Sequence, residues 1–297
     1  MDSPLIVSAG ATGDLGGRIA RELLSRGASV RAIARPASDA IDVKALRRQG
    51  VEIAEAAYDD ASALAEACEG ASCVVSALSG LRDVIVEAQT SLLDAAVEAD
   101  VPRFIPSDYC IDYRGLTPGT NRNLDLRRTF RERLDQAPIA ATSVFNGMFA
   151  DLLIGPAPVV LFPLRRVVCW GDADQPLDFT TQDDTAAVTA AAALDEGAPR
   201  DLQVAGDVLS SRRLADAASE ATGKSFKTFR AGGISRLNLL IKLTRTLVPS
   251  RGEVFPPWQG MQYLRDMFSG EAKLDSLDNE RYPDIEWTPV RDVLAAR

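Results

Sequence analysis

The tightest constraint on this 297-residue chain lies at its start, Leu5-Ile-Val-Ser-Ala-Gly10-Ala-Thr-Gly13-Asp-Leu-Gly16-Gly-Arg-Ile-Ala. An apolar, β-like run breaks into glycines at three-residue spacing and then becomes an amphipathic helix. Leu15, Ile19 and Leu23 lie on one stripe of that helix, with Arg18, Arg21 and Glu22 off it. The three glycines serve different ends. Gly10 permits a tight turn, Gly13 lets main-chain N–H groups approach a pyrophosphate, and Gly16 lets helix pack on strand. Thr12, Asp14 and Leu15 complete the loop. The helix start offers unpaired N–H donors and a partial positive charge to an anion. A strand before the loop and a helix after it are what a dinucleotide site requires.

The second strand discriminates between dinucleotides. NAD-selective sites place an acidic residue about twenty positions beyond the glycines, where it accepts from a ribose hydroxyl. Here the strand ends Ala32-Ile33-Ala34-Arg35-Pro36. A guanidinium pairs bidentately with a 2′-phosphate and accepts no hydrogen bond, so NADP(H) is favoured over NAD(H). Tyr58-Asp59, after the third strand, either flanks the adenine or gives Asp59 the capping position of the next helix.

Composition removes whole classes of function. The chain has no histidine, and its four cysteines, Cys68, Cys73, Cys110 and Cys169, form no CxxC repeat. Zinc sites and Ser-His-Asp triads are thereby excluded; three of the cysteines read as reduced core residues of a cytoplasmic protein, and Cys110 is the one near a candidate site. A net charge of -9 repels polyanions, so no direct nucleic-acid partner is expected. No signal peptide is read at the N-terminus. The most apolar later stretch, Leu237 to Val248, is interrupted by Lys242 and Arg245 and is too short to span a bilayer. No membrane partner is expected, whereas a protein partner or a homodimer is left open.

Short apolar strands at 29–34, 51–56, 73–77, 103–106 and 139–145 alternate with helices at 40–48, 62–68, 84–99 and 123–134. Such alternation predicts an α/β fold, a Rossmann doubly wound parallel sheet over residues 1–150. Beyond Asn146 the pattern weakens to helices at 184–194 and 211–222 and a strand near 202–205. Residues 151–297 read as a smaller mixed, substrate-side subdomain interleaved with the first. Phe255, Trp258, Met261, Tyr263, Met267 and Phe268 mark either the buried face of a C-terminal helix or an apolar lid.

Three stretches together, Gly10-Ala-Thr-Gly-Asp-Leu-Gly16, Val30-Arg-Ala-Ile-Ala-Arg35 and Val101-Pro-Arg-Phe-Ile-Pro-Ser107-Asp-Tyr109, resemble the NmrA-like and isoflavone-reductase-like branch of atypical short-chain dehydrogenases. The resemblance continues through Thr142-Ser-Val-Phe-Asn-Gly-Met-Phe149. It implies hydride transfer between NADP(H) and a small apolar or aromatic substrate, with Ala77, Leu78, Ser107 and Asn146 lining the cofactor's nicotinamide half. The departures bear on catalysis. No Tyr-x-x-x-Lys pair exists, and the helical lysine of isoflavone-type reductases falls at Arg128 or Thr129. Arginine stays protonated and is a poor general acid, so Tyr109 becomes the candidate proton donor, polarised by Arg128 if the two converge. The missing lysine equally suits a catalytically silent NADP(H) sensor acting through a protein partner. An epimerase-like activity on a nucleotide sugar is disfavoured by the absent Tyr-x-x-x-Lys.

Overall fold

Residues 3–36, 40–155, 157–249 and 252–297 are described by the structure, a computed structural model. The first half runs β1 (Leu5–Ala9), α1 (Asp14–Ser25), β2 (Ser29–Ala34), α2 (Ala40–Arg48), β3 (Glu52–Glu55), α3 (Ala61–Cys68) and β4 (Cys73–Ser76). A π-helical segment, Asp83–Ala88, then leads into α4 (Gln89–Glu98), followed by β5 (Arg103–Ile105), α5 (Arg122–Leu134), β6 (Ala140–Ala141) and β7 (Ser143–Phe145). The second half adds β8 (Met148–Phe149), β9 (Val160–Leu161), β10 (Arg166–Trp170), β11 (Leu177–Thr180), α6 (Gln182–Leu194), β12 (Asp201–Gln203) and β13 (Asp207–Leu209). It closes with α7 (Ser211–Thr222), β14 (Lys227–Gly232), α8 (Ile234–Leu247), α9 (Pro257–Ser269) and α10 (Val290–Ala295).

Two compact units result: residues 1–108, 126–144 and 185–202 form one, and 109–125, 145–184 and 203–297 form the other. The first is built on a six-stranded sheet of order β3-β2-β1-β4-β5-β6, every pair parallel. This is the doubly wound order, and its direction of winding reverses between β1 and β4. The strands read as continuous apolar runs because helices cover both faces. Val7, Val74, Leu92, Phe104 and Phe130 are buried in one core, and the rings of Phe104 and Phe130 lie 6.0 Å apart.

Two expected elements differ. The helix predicted over 84–99 begins as a π-helical turn. Gln89 Nε2 donates to Ile85 O at 2.7 Å and Thr90 Oγ1 to Val86 O at 2.6 Å, and this back-bonding competes with the regular ladder. The strand predicted over 139–145 breaks at Thr142, whose N–H still donates to Phe104 O while Ser143 N turns to Arg200 O. Arg103 fixes the break by donating to Thr142 Oγ1 at 3.0 Å.

The second unit holds three-stranded sheets of order β14-β10-β9 and β13-β11-β8. Its core gathers Tyr113, Phe145, Phe179, Leu214 and Val290, with Tyr113 edge-on to Phe145 at 5.5 Å. Of the C-terminal aromatic and thioether cluster, Trp258, Met267 and Phe268 are buried on α9 and Phe255 is exposed. The core interpretation therefore holds for the helix itself.

Candidate functional site

At the C-terminal ends of β1, β4 and β5 the first unit brings together most of the residues picked from the sequence. Gly10 sits at φ +84, and a Cβ there would lie 2.7 Å from Ala77 O. At Gly16 a Cβ would come within 2.1 Å of Gly10 O, so strand and helix touch backbone to backbone. Gly13 is different: a Cβ there would meet only Gly10 O, at 3.3 Å, and Thr12, Gly13 and Asp14 are exposed. Gly13 is also the N-cap of α1 and supplies no side chain to the first-turn amides, whereas α3 and α7 are capped by Asp60 and Ser210. The amides of Asp14 and Leu15 thus open an α-helix without a side-chain cap, as an anion site needs. The Asp14 carboxylate, which would repel a phosphate, is paired with Arg18 Nε at 2.9 Å.

Ser107, past the end of β5, is tied to the same crevice. Its hydroxyl donates to Leu78 O at 2.6 Å and its N–H to Gln89 Oε1 at 3.0 Å. Gln89 is buried and was not singled out by the sequence, because a glutamine inside a helical pattern carries no signal of where its amide reaches. Asp108 beside it is buried and accepts from Ser143 Oγ at 2.8 Å.

Arg35 follows β2 and is exposed, and among the described residues no carboxylate pairs with it. Its charge reaches Tyr58: burial pushes that phenol up to about 12, with Arg35 pulling the other way. Asp59 is exposed, and the helix cap is Asp60, whose Oδ1 accepts from Ala63 N at 3.1 Å. The capping alternative for Asp59 is therefore corrected by one residue.

Within the second unit, Asn146 is fully buried and both atoms of its side-chain amide lack a hydrogen-bond partner. Its main chain is held from both sides, N–H to Cys110 O at 3.1 Å and O from Thr180 Oγ1 at 2.7 Å. Gly147 follows at φ +67, where a Cβ would lie 2.4 Å from Asp178 O. A buried amide left with its donors and acceptor unused is expensive unless something else pairs with it. In the first unit the uncapped helix start, and a cation after β2 with no carboxylate on it among the described residues, fit a dinucleotide, while the orphaned Asn146 amide of the second unit is left able to pair with a ligand.

The NmrA-like family model matches residues 2–248. The chain belongs to the NmrA-like family. The family implied by the motifs is thus the family the match establishes. Pinoresinol reductase 1 of Arabidopsis thaliana is 26% identical over 311 residues, covering 97% of this chain and 95% of the relative. Among solved structures, AtPrR2 with NADP+ and (+)pinoresinol superposes at a TM-score of 0.84 with 21% identity, covering 100% of this chain and 99% of that one. The leucoanthocyanidin reductase–NADPH binary complex from Vitis vinifera superposes at 0.81 with 19% identity, covering 98% of each chain. These likenesses show that the NmrA-like chain has a Rossmann-type fold.

In this NmrA-like protein Tyr109 is buried and opens the second unit, while Arg128 is half-buried on the part of α5 that belongs to the first. All four cysteines are buried and unbridged. Burial pushes the Cys68 thiol up to about 11 and Cys73 to about 12, so neither is a nucleophile at neutral pH. No group of described residues could hold a metal ion. A polar line on α9 also escapes sequence reasoning. Gln259 Nε2 donates to Asn121 Oδ1 at 2.7 Å, and Asn121 Nδ2 to Asp266 Oδ2 at 2.8 Å. Gln262 Oε1 accepts from Arg122 N at 3.2 Å. In sequence these three α9 residues look like a solvated face.

Proposed function

We propose that this NmrA-like protein is an NADP(H)-dependent reductase of small, mostly apolar or aromatic molecules. The observation that carries the proposal is the uncapped start of α1 behind Gly13, joined to a cation rather than a carboxylate after β2. The names of the relatives point the same way, since each is a reductase and the substrates they name are aromatic natural products.

NADPH, when bound, supplies a hydride to an electrophilic carbon of the acceptor. The chain's own residues do the rest. Amides of the Gly10–Gly16 loop hold the pyrophosphate, and Arg35 holds the 2′-phosphate. Asn146 offers an N–H donor and a C=O acceptor side by side, which match the nicotinamide carboxamide in kind. Tyr109 would hand its phenolic proton to the acceptor oxygen, and Arg128 is the cation assigned to polarise it where the two converge.

The test is NADPH consumption across carbonyl, enone, quinone and lignan acceptors, with Tyr109→Phe and Arg128→Gln compared. Turnover of at least one acceptor is expected, with Tyr109→Phe lowering kcat by roughly 10²- to 10⁴-fold and leaving NADPH affinity unchanged. The position at which the resemblance expects a lysine falls at Arg128 or Thr129, neither of them a lysine, and this favours one second reading, a redox sensor. Tight NADPH binding with no turnover across the whole panel would establish the sensor and exclude the reductase.

A further inference from the structure

The strongest feature outside the dinucleotide site is α8. Leu237 and Ile241 face inward and are buried, and α8 packs on α9, with Arg245 lying 5.3 Å over the Trp258 ring. A second apolar line runs along the other side. Leu239, Leu243 and Leu247 recur at four-residue spacing and are 65%, 52% and 70% exposed, and Val248 beyond the helix end is 44% exposed. At about 100° per residue these leucines fall within an arc of about 80°, on a face turned about 140° from the buried pair, and extend over about 12 Å of helix. An apolar row of this length, left in water on a helix whose inner face is already satisfied, needs a partner.

Charge says what kind. From residue 223 to 249 the chain carries Lys224, Lys227, Arg230, Arg236, Lys242 and Arg245 and no acidic residue, although the whole protein has a net charge of -9. Arg236 falls within the leucine row on the helical wheel, and Lys242 flanks it. A second copy of this face would bring like charge against like charge, which opposes a symmetric pairing through it. The exposed row of α8 is aliphatic with basic flanks, and β14 adds one exposed aromatic, Phe229, a residue type that suits the apolar side of an interfacial segment. That combination is the pattern of a helix lying in the surface of an anionic bilayer, its leucines among the acyl chains and its cations at the headgroups.

We propose that α8, with the basic edge strand β14 before it, is a peripheral docking face for anionic phospholipid membranes. This revises the expectation of no membrane partner, which rested on the lack of a spanning stretch. It agrees with the finding that no described helix is long and apolar enough to cross a membrane. The proposal is independent of the reductase assignment.

The test is co-sedimentation of the full-length protein with vesicles of phosphatidylcholine alone and of phosphatidylcholine containing phosphatidylserine. Wild type should pellet with the anionic vesicles, release as salt is raised, and stay in solution with the neutral ones. The exposed-site double variant Leu239→Ser/Leu243→Ser and the charge variant Arg236→Gln/Lys242→Gln should each lose at least about tenfold in partitioning. Unchanged circular dichroism and NADPH affinity would show that both variants are folded. Failure of wild type to bind anionic vesicles, or binding that both variants retain, would overturn the proposal. A self-association in light scattering that Leu239→Ser/Leu243→Ser abolishes would likewise overturn it and assign the face to a second copy of the chain.

Discussion

Gly16 has the least latitude of the loop residues. Its missing Cβ is filled by Gly10 O at 2.1 Å and Gly10 C at 2.7 Å, both backbone atoms that cannot move aside. Gly16→Ala should therefore separate α1 from β1 and lower stability by at least about 2 kcal/mol, measured by urea denaturation. Gly13→Ala should cost far less, because a Cβ there meets only Gly10 O, at a tight 3.3 Å rather than 2.1 Å. It should lower the melting temperature much less than Gly16→Ala and weaken NADPH binding, and equal melting losses in the two variants would contradict the division of roles. Arg35→Ala should cost about 1.5 to 3 kcal/mol of NADPH affinity, as for a lost charge-assisted contact, with NADH little affected. Equal weakening of both cofactors would remove the 2′-phosphate role. All these residues are visible in the sequence, since glycine spacing and a cation after a strand are local signals. Gln89 and Asn146 are less so: the resemblance alone pointed to Asn146, and nothing pointed to Gln89, because an amide's value depends on which distant atoms the fold brings to it.

Among the elements, the π-helical turn before α4 has a definite consequence. It sets Gln89 so that one amide both closes the turn through Ile85 O and accepts from Ser107 N. Gln89→Leu would leave Ser107 N buried without its acceptor and should cost about 1 to 3 kcal/mol of unfolding free energy. No change in the denaturation midpoint would show that Ser107 is held by its hydroxyl bond to Leu78 O alone. Helix existence at 84–99 was legible from periodicity, whereas the π geometry was not, since it arises from side chains bonding back onto the turn. The short strands beyond Asn146, such as Met148–Phe149 and Val160–Leu161, have two residues each and fall below any periodic signal. Their pairing comes from tertiary packing, so the first unit could be read strand by strand and the second could not.

At the scale of the whole molecule, buried carboxylates of the second unit set the response to pH. Burial pushes Asp266 up despite the Asn121 and Arg265 hydrogen bonds that pull it down, and Asp178 and Asp184 are raised by the same cause. A folded-state pKa above the unfolded one means that the native protein holds the proton more tightly. Stability therefore increases as pH falls through the folded values toward the ordinary carboxylate range, and is lost as pH rises through them. Asp266→Asn removes one of these titrations and should flatten the dependence of unfolding free energy on pH in that window. A steeper dependence in the variant would contradict the assigned direction.

The central claim, that bare main-chain amides behind Gly13 grip the phosphates of NADP(H), is tested most directly by titration calorimetry of the purified protein with NADPH, NADP+, NADH and NAD+. Saturable binding at one site per chain is predicted, tighter for the phosphorylated pair, with Gly13→Ala weakened toward every nucleotide. Absence of measurable binding to all of them would contradict the account.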